Sequence, residues 1–169
     1  MVVQNKWAVD EQDTNYPQAS PKKEGSKVAA AISKVAILAA DTDASVYGMV
    51  ALPGGAIVKD IKLVCSEITA GTDYDIGLYR MDADGTIGAV IEKDTFLDGQ
   101  TMAVAIARGA EITGISAISL ADSDKTVAEL AAAVSGLVEK DPRYCLALTA
   151  NTVGSADGTI VVFTDFTNA

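Results

Sequence analysis

The residues with the chemical means to do something are mostly carboxylates, and they gather at predicted turns. Asp73 and Asp75 straddle one turn, and Asp82 and Asp84 stand at the other end of the same predicted strand. A calcium ion needs several oxygens converging on one point. Asp82-Ala83-Asp84-Gly85 is at most a fragment of such a loop, because Arg80 holds the place of the first ligand and Asp94 comes too late to close it. These aspartates read as turn residues that bond to local backbone. Glu67, Glu92 and Glu111 are the carboxylates from which a glycosidase pair would be drawn, yet each borders a predicted strand end, where solvent-facing charge is the default. The chain has no histidine, so the commonest metal ligand and the commonest general base are both missing. Ser33 and Lys34 are adjacent, which is not the spacing that lets a lysine serve a nucleophile. Leu52-Pro53-Gly54-Gly55 lacks the glycine spacing and the Lys-Ser/Thr of a phosphate loop. Cys65 and Cys145 each fall inside a predicted strand and read as small buried hydrophobes, without the spacing of a zinc site. The expectation is no catalytic centre, no cofactor and no metal.

Composition sharpens that negative. The 169 residues suit one domain with a real core, and 13 Lys and Arg against 23 Asp and Glu leave a formal charge of −10. Such a surface is unsuited to phosphate backbones, and Tyr47, Tyr74, Tyr79 and Tyr144 sit amid aspartates rather than cations, so no nucleic-acid partner is expected. The apolar run Val28–Ala40 is too short to span a bilayer and is broken by Ser33 and Lys34, so no membrane is expected either. The start, Val2 and Val3 followed by Gln4-Asn5-Lys6, lacks a signal-peptide pattern, which predicts folding in a cytosol.

The elements that would position any site are strands. Val46–Leu52, Ala56–Ile68 and Asp75–Met81 are separated by Pro53-Gly54-Gly55 and Ala70-Gly71-Thr72. Ile61, Leu63 and Cys65 alternate with Lys62, Val64 and Ser66, the period of a strand with one buried face. Upstream, a strand is expected from about Ser33 to Ala40, with the alanines at 29–31 as an irregular lead-in. Downstream, Thr86–Glu92, Gln100–Arg108 and Ile112–Leu120 read as strands, with a turn at Asp98-Gly99 and a bulge at Gly114. A helix over 126–136, capped by Asp124 or Thr126, carries Val127, Leu130, Ala131, Val134, Leu137 and Val138 on one stripe and weakens at Gly136. After the linker Glu139–Pro142 come Arg143–Thr149 and Gly158–Thr167. Eight or nine short strands and one helix predict an all-β fold, an antiparallel, jelly-roll-like β-sandwich over 28–169.

Residues 1–27 read as an extended arm, with Lys6, Lys22, Lys23 and Lys27 balancing Asp10, Glu11, Asp13 and Glu24. Either it frays, or it orders on a neighbouring subunit with Trp7 and Tyr16 as anchors. In the last strand Val161 and Phe163 are apolar on the face opposite Ile160 and Val162, as if covered a second time by a partner chain.

Three stretches together resemble small virion structural proteins of tailed bacteriophages. They are Leu52–Ile61 followed by Asp75-Ile76-Gly77-Leu78-Tyr79, then Thr126–Leu130, then Leu146–Gly154 closing with Gly158-Thr159-Ile160. The resemblance implies a non-enzymatic β-sandwich that decorates or stabilises a capsid, located on the virion surface. It also implies a symmetric oligomer. The neutral arm beside an acidic body, the lone Trp7 and the apolar faces of the last strand add the expectation of a homo-oligomer, a trimer before a dimer, that binds the major capsid protein through residues 1–27. The alternatives are a tail or fibre component, or a carbohydrate-binding, adhesin-like module that would use exposed aromatics such as Tyr74 and Tyr79.

Overall fold

The computed structural model describes residues 5–7, 28–113, 122–136 and 143–168. Its strands are β1 (Asn5–Trp7), β2 (Val28–Ile37), β3 (Ser45–Pro53), β4 (Ala56–Cys65), β5 (Asp73–Met81), β6 (Ile87–Gln100), β7 (Ile112–Thr113), β8 (Arg143–Thr152) and β9 (Gly158–Asn168). One sheet has the order β1-β3-β8-β5-β6 and the other β2-β9-β4-β7. All described pairings are antiparallel except that of β1 on β3. This is the expected β-sandwich.

The core lies between the sheets. Ile61, Leu63 and Cys65 of β4 point inward, as their alternation predicts, beside Ile160 and Val162 of β9. Tyr47 and Leu52 of β3, Tyr74, Ile76 and Leu78 of β5, and Leu146 and Leu148 of β8 meet them from the other sheet. Each such side chain contributes about 1.5–3 kcal/mol on burial. The Ser33 hydroxyl donates to the Met49 carbonyl, tying β2 to β3 across the sandwich.

Helix α1 (Val127–Ser135) follows the rules of its sequence. Thr126 is the N-cap of a full capping box with Glu129, and Gly136 ends the helix at φ 68°. The Ala128 N–H donates to the Gly54 carbonyl, which seats the helix on the β3–β4 turn. Only Val127 and Ala131 are fully buried, whereas Val134, expected on the same stripe, is exposed.

Three expectations are corrected. Strand β2 begins at Val28 and ends at Ile37, because Ala29, Ala30 and Ala31 pair with Phe166, Asp165 and Thr164 of β9. The ladder overrides alanine's weak strand preference. Asp98-Gly99 does not end a strand but lies within β6. Gln100–Arg108 is not a strand of its own: Gln100 ends β6 opposite Tyr74, and beyond it only Ile106 bridges, to Cys65. Of Ile112–Leu120, Ile112 and Thr113 pair with β4. Residues 114–120, with the Gly114 bulge, and the linker Glu139–Pro142 lie outside the described residues.

Candidate functional site: the two outer sheet faces

Residues Asp75, Gly77 and Tyr79 alternate on the outer face of the five-stranded sheet, beside Cys145, Ala147 and Thr149 of β8, and all six are buried. The cover comes from β6. Ile76 pairs with Leu97, but Leu78 pairs with Glu92, so β6 carries extra residues there and lifts over β5. Gly77 makes this possible. A Cβ on it would lie 2.2 Å from the Glu92 carbonyl oxygen and 2.3 Å from the Lys93 carbonyl carbon.

The same lift brings three polar side chains together. Asp75, with a side chain 1% exposed, takes the Gly99 N–H on Oδ1 at 2.8 Å and the Asn151 amide nitrogen on Oδ2 at 2.6 Å. The Lys93 amine lies 3.3 Å from Asp75 Oδ2 and donates to Asn151 Oδ1 at 2.7 Å. A buried charge needs such company, since an unpaired one would cost several kcal/mol. Beside the cluster, Tyr79 and Thr149 share a hydrogen bond of 2.6 Å between their hydroxyls. Burial pushes the Tyr79 phenol up, while Thr149 and Lys93 pull it down. Asp75 lies in a strand as expected, but its reading as a turn aspartate bonded to local backbone is corrected: its carboxylate is buried and its partners are distant in sequence. Nothing local announced this, because Asn151 lies 76 positions away along the chain.

The other candidates fall where no reaction is supported. Asp84 Oδ1 accepts the Thr86 N–H at 3.0 Å and the Thr86 hydroxyl at 2.6 Å, which holds its carboxyl below the usual range. It is a turn aspartate. Among the described residues, no three or more His, Cys, Asp or Glu are arranged to hold a metal ion. Ser33 points inward and Lys34 outward. Cys65 and Cys145 are buried free thiols in different sheets. Among the described residues, no helix is long and apolar enough to cross a membrane.

The aromatics expected to serve a sugar are also inside. Tyr74 is fully buried and donates to the Val153 carbonyl at 2.8 Å, and Tyr79 is 5% exposed. Burial drives the Tyr74 phenol strongly upward. The surface on which a carbohydrate would stack on these rings does not exist.

The outer face of the four-stranded sheet is different. Across β2, β9 and β4, Ile32 stands beside Phe163 and Lys62, and Lys34 beside Val161 and Val64. Val28 and Ile32 are 64% and 56% exposed, while Val161, Phe163 and Val64 are half-buried. The Arg108 guanidinium lies over the Phe163 ring, 5.2 Å from its centroid. One row away, Asp165 pairs with Asp60 in register, and Asp60 forms an ion pair with Lys62 at 3.2 Å. The structure thus brings Val161 and Phe163 together and adds Ile32 and Val28, which the sequence reading missed. Their alternation with buried residues of β2 was the available signal. Trp7 lies elsewhere: its backbone pairs with Gly48 at the edge of the other sheet. Tyr16 is outside the described residues.

No family model matches the chain. No curated protein matches it in sequence. Solved structures do match its fold. A chain of the capsid of Ralstonia phage GP4 is 12% identical, with 89% of each chain covered and a TM-score of 0.57. A chain of the cyanophage Pam1 capsid asymmetric unit is 20% identical, over 93% of this chain and 99% of that one, with a TM-score of 0.52. The fold that the phage resemblance implied is therefore a fold found in phage capsids.

Proposed function

We propose that this chain is a non-enzymatic structural protein of a phage virion, seated on the capsid as a decorating or stabilising component. The observation that carries the reading is the near end-to-end fold match to chains from two phage capsids. Support comes from the outer face of β2, β9 and β4, where Val28, Ile32, Val161 and Phe163 present apolar surface that no described residue fully covers. Covering each large side chain there contributes up to about 2 kcal/mol. The partners are further copies of the chain, as a trimer, and the major capsid protein. The arm, residues 1–27, reaches the lattice with Trp7 and Tyr16 as anchors, while the acidic body disfavours stray contact with DNA.

Electron cryomicroscopy of intact particles tests the reading: density for this fold on the head supports it, and density confined to the tail replaces it with a tail component. Deleting residues 1–27 is expected to preserve the β circular dichroism and weaken particle binding sharply. Unchanged affinity and stoichiometry would move the contact to the sandwich alone.

A further inference from the structure

The polar cluster on the five-stranded sheet has the makings of a covalent bond. An amine, a primary carboxamide and a carboxylate meet there from three neighbouring strands, β6, β8 and β5. Lys93 Nζ is 2.7 Å from Asn151 Oδ1, which places the nucleophile against the carbonyl it would attack. Asp75 touches both reactants, the amine at 3.3 Å and the departing nitrogen, Asn151 Nδ2, at 2.6 Å. Each contact has a use in an acyl transfer.

We propose that the protein joins Lys93 to Asn151 by an intramolecular isopeptide bond, with Asp75 as the proton carrier. The Lys93 ammonium passes a proton to Asp75, and the free amine adds to Asn151 Cγ. The new C–N bond forms as the carbonyl π electrons move to Oδ1, while the protonated Asp75 carboxyl stays against Nδ2, the nitrogen it will protonate. The tetrahedral centre then collapses, breaking the Cγ–Nδ2 bond, and protons from Asp75 and the attacking nitrogen leave with that nitrogen. A lysine ammonium and a carboxamide become a secondary amide and an ammonium ion. No oxidant, reductant or metal is required. The event happens once per chain, so it is a maturation step and not turnover.

The surroundings suit this assignment. Asp75 is held by the Gly99 N–H on its other oxygen, so its Oδ2 stays aimed at the reactants. The Lys93 side chain is half exposed, which gives the released ammonia a way out. The bond would span 58 positions of sequence and staple β6, an edge strand, to β8 across β5.

Intact-mass spectrometry of the purified full-length chain after prolonged incubation reads the outcome directly. The expected mass is that of the sequence less one ammonia, and proteolysis should release a branched fragment linking the Lys93 and Asn151 peptides. Lys93→Arg and Asp75→Asn should each retain the full mass. A wild-type chain at full mass would overturn the proposal. So would ammonia loss that persists in Lys93→Arg, since that places the lost amide in a backbone succinimide. Ammonia loss unchanged in Asp75→Asn would overturn the role given to Asp75.

Discussion

The two sheets bear opposite relations to their own chain. The five-stranded sheet has its outer face finished from within: β6 lifts over it, Gly77 yields space, and Asp75, Lys93 and Asn151 satisfy one another. The four-stranded sheet has its outer face left apolar, with Ile32 and Val28 in solvent and Arg108 resting on Phe163. On one face β6 folds back over the sheet, whereas on the other, among the described residues, no strand does and the apolar side chains stay exposed.

That contrast can be broken experimentally. The largest effect is expected where neither face is involved: Leu63→Asp puts a carboxylate into the dry core and should cost more than about 4 kcal/mol. Loss of soluble, β-rich protein by circular dichroism is the readout, and an unchanged melting temperature would mean that the faces of β4 are reversed. On the sealed face, Gly77→Ala drives a methyl into the Glu92 carbonyl and should cost about 3 kcal/mol in urea unfolding. Tolerance of that methyl would show that β6 does not press on β5.

A control belongs to neither face. Thr126→Ala removes the N-cap of α1 and should cost about 1 kcal/mol. Its pH dependence has a definite sign. Hydrogen bonds from the Thr126 backbone and hydroxyl hold the Glu129 carboxyl below its usual range, so their stabilisation is present above the unfolded value and lost as pH falls through the folded one. The gap between variant and parent should narrow on acidification, measured by thermal melts. The smallest stability change is expected on the open face. Ile32→Ser should shift stability by no more than about 0.5 kcal/mol while weakening particle binding in co-sedimentation. If binding is untouched, the open face is not the contact.

The inner faces were legible because they obey a local rule. Ile61, Leu63 and Cys65 alternate, and so do Ile160 and Val162, and each set is buried as written. Local rules also explain the misreadings. Gln100–Arg108 alternates too, but one of its two faces is only Thr101, Ala103, Ala105 and Ala107, with little apolar area to hold a strand in a ladder. There the Met102 N–H instead donates to the Thr72 hydroxyl at 2.7 Å. Gly99 has the positive φ of a turn residue, at 67°, yet its N–H is spent on Asp75, which keeps β6 in the sheet. The Asp75 cluster was illegible for a different reason. Its meaning depends on Lys93 and Asn151, and only the β6–β5–β8 strand order brings those positions side by side.

The order of strands within the sheets sets a schedule for synthesis. β8 and β9 are made after the other described strands, yet β8 lies between β3 and β5, and β9 lies between β2 and β4. Neither sheet can close before they are made, and β2, β3, β4 and β5 must each wait with an unpaired flank. Contacts this distant along the chain make folding slow, on the order of milliseconds to seconds for β-sandwiches. A nascent chain of this kind is most exposed to aggregation just before its final strands emerge. Conditions that slow the ribosome late in the message, or that truncate it there, should therefore yield insoluble product rather than a smaller folded domain.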